Sequence, residues 1–159
     1  MKYTIYLFLI FAALTSCNST DTKTSSNKKK ETTKTKGAAL PFLEDVTLLK
    51  IYDECEGIDI TYYDYPVSMS SNAENTKSFI AMISQEVMYS DQLMKKPTGI
   101  MNFNINGDIF IDAEFYLNIK NRSGYFKFIR GKESYYHPIK ENGISVFMQP
   151  IDMVKQKTQ

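Results

Sequence analysis

From Gly99 to Ile119 apolar and polar residues alternate with a regularity that leaves one local solution. Met101, Phe103 and Ile105, then Ile109, Ile111, Ala113, Phe115 and Leu117, recur at a spacing of two, the side-chain period of a strand with one face in a core. Asn106-Gly107 interrupts the run with a residue pair that tolerates the left-handed backbone of a tight hairpin turn. The two arms must agree on which face is buried. A two-residue loop sets Phe103 against Phe110, an apolar face against a mixed one. A three-residue loop, Asn106-Gly107-Asp108, sets Ile105 against Ile109 and Phe103 against Ile111. The pattern therefore predicts a hairpin with three loop residues.

The same logic extends to the flanks. Tyr125 to Arg130 and Ser134 to Ile139 read as two more strands turning at Gly131, and Leu43 to Tyr52 with Gly57 to Val67 read as an earlier pair able to form a hairpin. Ser71-Asn72-Ala73-Glu74 matches a capping box, in which a serine oxygen and a glutamate three residues on satisfy each other's backbone donors. The helix that follows carries Phe79, Ile80, Ile83 and Val87 on one face and ends before Pro97. Near the C-terminus Ile144, Phe147, Met148 and Ile151 approach helical spacing, with Pro150 set to break or kink the element. These elements predict an α+β fold: a mainly antiparallel sheet of about six strands, with one amphipathic helix and a short C-terminal helix on one face.

If helices cover one face, the other carries what is left. Phe110, Asp112, Glu114 and Tyr116 alternate with the core-facing positions and predict an acidic and aromatic outer stripe. The runs Tyr62-Tyr63-Asp64-Tyr65 and Tyr135-Tyr136-His137 concentrate further rings. Tyrosine combines contact area with a hydroxyl at small entropy cost, which suits recognition of protein or sugar. Strands also favour it for packing alone, and successive residues face opposite ways, so at most half of each run shares one surface. The candidate partner-binding set is thus Tyr62, Tyr63, Tyr65, Phe110, Asp112, Glu114, Tyr116, Tyr135 and Tyr136. Asp108, Asp112 and Glu114 do not suggest calcium, because a calcium loop gathers many oxygens on a tight turn and these lie along a strand.

Composition divides the chain of 159 residues. Residues 18 to 36 hold no aliphatic or aromatic side chain. Lys23, Lys28, Lys29, Lys30, Lys34 and Lys36 face only Asp21 and Glu31, a formal +4. Such a segment cannot bury enough surface to offset its ordering entropy and reads as a tether. From Gly37 to Gln159 the balance reverses, with twelve Lys and Arg against sixteen Asp and Glu, a formal −4. Nucleic acid is excluded as a partner on this pattern, since the basic cluster lacks interleaved aromatics and the folded part is acidic.

The N-terminus supplies the address. After Lys2, the run Ile5 to Leu14 is about ten apolar residues, the length of a secretory h-region and too short to span a bilayer. Leu14-Thr15-Ser16-Cys17 follows, and it resembles the bacterial lipobox, a resemblance that covers only these first seventeen positions. It implies a signal peptide over residues 1 to 16 and acylation of Cys17, with the protein outside the cytoplasm and held to a membrane by its lipid; composition and length then give a tether over 17 to 39 and one domain over 40 to 159.

Catalytic signals are sparse. The chain has one histidine, His137, and one cysteine beyond Cys17, Cys55, and no GxSxG, HExxH, Walker or dinucleotide loop. No metal or cofactor is expected. Cys55, flanked by Asp53, Glu54 and Glu56, is expected to be an inert thiol, with pairing between chains as the alternative. The functional expectation is a lipid-anchored accessory or binding protein that engages another envelope protein. An inhibitor or immunity protein acting on an enzyme or toxin is the alternative, and an envelope hydrolase the third.

Overall fold

The structure, a computed structural model, describes residues 37–157. The described chain runs α1 (Asp45–Glu54), β1 (Gly57–Tyr62), β2 (Ser68–Asn72), α2 (Ala73–Ile80), a single 3-10 turn, β3 (Gly99–Ile105), β4 (Asp108–Asn118), β5 (Ser123–Arg130), β6 (Glu133–Pro138) and α3 (Glu141–Lys157). The six strands form one antiparallel sheet in the order β2-β1-β3-β4-β5-β6. The fold is α+β, as the alternation and capping signals predict.

All three helices lie on one side of this sheet. Leu48 and Ile51 of α1, Ile80 of α2 and Ile144, Phe147 and Ile151 of α3 share one core with Ile58, Ile60, Met101, Phe103, Phe115, Phe126 and Phe128 from the strands. Those strand residues alternate along their chains, so every one belongs to the same sheet face.

The first element corrects the sequence reading. Leu43 to Tyr52 is no strand: from Asp45 it is helix, and no hairpin joins it to β1. The residues buried there are Leu43, Thr47, Leu48, Ile51 and Cys55, a helical spacing that its Val, Leu, Ile and Tyr content masks. Glu44 and Asp45 at its start favour the helix through the dipole. The partner of β1 is instead β2, reached through residues 63–67.

The capping box also moves. Asn72 caps α2, accepting the Asn75 N–H at 3.1 Å. Ser71 stays in β2 and its hydroxyl accepts the Ile58 N–H. The helix ends at Ile80, Ile83 bridges to Ile139, and Val87 is exposed rather than core-facing.

The β3–β4 turn has two loop residues, not three. Asn106 and Gly107 have φ of 53° and 79°, the positive pair that a type I′ turn demands, and Ile105 pairs with Asp108. The facing conflict is resolved one step later: Asn104 pairs with Ile109 but Phe103 pairs with Ile111, so Phe110 is an extra residue in β4. This β-bulge restores Met101 opposite Ala113 and Gly99 opposite Phe115. Turn chemistry fixes the loop, and the bulge absorbs the parity mismatch.

Helix α3 is longer than the short element expected and runs through Pro150 for 17 residues. Pro150 has no N–H to offer the carbonyl of Val146. One residue on, the Phe147 carbonyl accepts the Tyr62 hydroxyl at 2.9 Å. Apolar burial of Pro150 and Ile151 holds the helix together past the interruption.

Candidate functional site

The register defines the face that the helices leave uncovered. Across the sheet, Ser70, Asp59, Asn102, Asp112, Ile129 and Ser134 form one cross-strand row. Thr61, Ile100, Glu114, Lys127 and Tyr136 form the next. Their partners in sequence point into the core, so both rows belong to the outer face.

Glu114 is the centre of its row. One of its carboxylate oxygens accepts the Tyr116 hydroxyl at 2.8 Å and the Lys127 ammonium at 3.0 Å. The pair is three-quarters shielded on both sides, which makes it stronger than an ordinary surface ion pair. Tyr63 stands at the edge of this group, half exposed. Partial burial raises the pKa of its hydroxyl first, and the carboxylates of Glu114 and Asp112 raise it further. Asp59 accepts Ser70 at 2.6 Å and Asn104 at 2.8 Å, and these two bonds hold its carboxyl below the usual range.

Between Asp59 and Asp112 lies Asn102, whose Oδ1 is buried without a hydrogen-bond partner. An amide in the middle of a central strand, with an unsatisfied acceptor, costs about 1–3 kcal/mol relative to a satisfied or apolar side chain. Such local costs concentrate at functional positions.

At the far end of the same face the rings stack. Tyr116 lies parallel to Tyr125 at 4.5 Å, and Tyr136 leans on Tyr125 at 6.2 Å. Leu40, Met88 and Met94 cover them, and the Tyr125 hydroxyl accepts the Met94 N–H at 2.9 Å. Burial, then the bond to Glu114, push the Tyr116 hydroxyl pKa up. Beyond this lid opens a cleft of about 490 Å³ whose walls include Met88, Arg122, Tyr125 and Glu141.

The residues singled out from the sequence therefore separate. Tyr63, Asp112 and Glu114 come together on the outer face, and Tyr136 joins its tyrosine stack. Tyr116 is on that face but buried. Tyr62 is a core residue. Tyr65 and Tyr135 pack partly against the core on the helical side. Phe110 leaves the stripe altogether, because the bulge turns it toward the core under the Lys50 ammonium, 4.8 Å from its ring, and leaves Ile109 exposed in its place. Cys17 lies outside the described residues. Asp59, Asn102 and Lys127 were missed, although the alternation of β3 already places Asn102 opposite the core; what the sequence does not show is that β1 and β4 flank it.

His137 and Cys55 are structural. Leu43 donates its N–H to His137 Nε2 at 2.9 Å, and Nδ1 donates to the Ser84 carbonyl at 2.9 Å, so both ring nitrogens are engaged in full burial. Cys55 closes the other end of α1, a helix of about 15 Å, and gives its thiol hydrogen to Gly57 at 3.2 Å. Burial pushes that thiol's pKa up. A Cys-His couple is therefore not formed. Among the described residues no group of three or more His, Cys, Asp or Glu is placed to hold a metal ion, and no helix is long and apolar enough to cross a membrane.

The fold and this face define an open-faced α+β sheet, one side clad in helices and the other polar and aromatic. No family model matches the chain, and neither the curated proteins nor the solved structures contain a detectable relative.

Proposed function

We propose that this protein is a lipid-anchored binding protein of the bacterial envelope, in which the outer sheet face engages another envelope protein. Cys17, in its lipobox-like setting, supplies the anchor, and the Lys-rich residues 18 to 36 separate it in sequence from the folded part. The observation that carries the binding role is the arrangement of Tyr63, Asn102, Asp112 and Glu114. They stand together on a sheet face without helices, with one amide acceptor unsatisfied.

The engagement of both His137 nitrogens by backbone removes the histidine as a proton carrier, and this favours binding over hydrolysis. Cross-linking the native protein in its own cells, followed by mass spectrometry, tests the reading. A resident membrane protein that is recovered from wild type and lost from Asp112→Ala supports it. A soluble toxin or enzyme recovered instead favours the inhibitor alternative. Cys17→Ala is expected to move the protein to the soluble fraction, and pelleting of that variant through a salt wash contradicts the anchor.

A further inference from the structure

Helix α1 has a second surface that its strand-like composition conceals. Its buried side meets the core through Thr47, Leu48 and Ile51. On the opposite side Val46, Leu49 and Tyr52 are 67%, 60% and 40% exposed, and Phe42, ahead of the helix, is 54% exposed. Scattered exposed apolar residues are ordinary, but three spaced along one stripe of a helix are not. Alongside runs a groove of about 410 Å³ between α1 and the end of α2, walled by Leu48, Leu49, Tyr52 and Ile80, with Asp45 and Gln85 at its rim.

The rim is acidic. Glu44, Asp45, Asp53 and Glu54 are all exposed around the stripe. Two cations answer them: Lys50, 3.9 Å from Glu54, and Lys77, which lies 5.0 Å over the Tyr52 ring. Carboxylates remain in excess.

We propose that this stripe and groove dock a basic, amphipathic helix of a partner protein. Apolar side chains at three- and four-residue spacing fill the groove, and Lys or Arg beside them meet the carboxylate rim. The same charge argues against the other occupants. An anionic lipid surface meets carboxylates of its own sign, and a second copy brings an identical acidic rim. Residues 18 to 36 of this chain have the positive charge but no apolar side chain to enter the groove. The surface lies on the helical side of the sheet, so the inference stands apart from the role of the outer face.

The test uses the full chain with Cys17→Ala, so that no acyl group contributes. It is titrated calorimetrically with a Leu/Lys amphipathic peptide of about 18 residues, with its Leu/Glu counterpart, and with phosphatidylglycerol vesicles. The Leu/Lys peptide is expected to bind, more weakly as salt rises. Val46→Ser with Leu49→Ser is expected to weaken binding at least about tenfold, as is Asp45→Lys with Asp53→Lys. These positions are exposed, and a single cooperative thermal melt shows that each variant is folded. Asp112→Ala on the outer face is expected to leave the affinity unchanged. Equal binding of both peptides, equal binding by the serine variant, vesicle binding that the serine variant loses, or a dimer in sedimentation that it loses, each overturns the proposal.

Discussion

His137 joins three segments of the chain through one neutral ring. Its Nδ1–H tautomer gives a hydrogen bond to Ser84 and takes one from Leu43, tying β6 to the approach to α1 and to the chain after α2. Burial is the main influence on its pKa and lowers it below the ordinary 6.5, with the Ser84 bond and Asp45 opposing. The sign follows from linkage: as pH falls, the unfolded chain takes the proton first. Stability is complete above about pH 6.5 and declines as pH falls from there toward the folded-state value. Because the chain has a single histidine, urea midpoints between pH 7.5 and 5.5 isolate the effect. They are expected to fall in wild type and to stay level in His137→Phe, which is also less stable at pH 7.5 by about 2–5 kcal/mol because two buried backbone groups lose their partners. Cys55 shows the same economy in simpler form, a thiol buried at a helix end and donating to a carbonyl rather than awaiting a partner.

Hairpin and helices show where local pattern decides and where packing does. Asn106-Gly107 closes a two-residue turn, and Phe110 restores the register as a bulge. Deleting Phe110 is therefore expected to leave a folded domain in which Phe103 still faces Ile111, destabilised by about 1–3 kcal/mol for the lost contacts of one half-buried ring. Urea unfolding measures the loss. Collapse of the domain would show that the bulge does more than absorb the mismatch. The strands were legible because a period of two has few rivals, and β3 to β6 appear within a residue or two of the expected bounds. Helix α1 was not, because Val46, Ile51 and Tyr52 favour strands and offset the helical preference of Leu48 and Leu49. Only the position of the core distinguishes a buried Leu48 from an exposed Leu49. Pro150 misled for a related reason: its local penalty is real, but Phe147, Met148 and Ile151 are anchored in the core on either side of it. The outer stripe was half legible, with Asp112 and Glu114 placed by parity and Phe110 displaced by a bulge that no residue type announces.

The domain described by residues 37–157 is a sheet with one side clad in helices and one left open by them. On the open side Asn102 stands out, since a β-branched residue there would suit a central strand and remove an unsatisfied acceptor. Asn102→Val is expected to raise the stability of the domain by about 1 kcal/mol while weakening partner recovery, the exchange of stability for function that a binding surface entails. Thermal melting and co-isolation read the two effects separately. A variant that is more stable and binds as before would make Asn102 a structural accident. Contact between the open face and a partner in the envelope is read by a photo-activatable residue placed at Asp112 in the native protein in its own cells. The control position is Asp152, exposed on α3 of the helical side. A discrete adduct with a membrane protein is expected from position 112 and none from position 152. Adducts from position 152 with none from position 112 would overturn that reading.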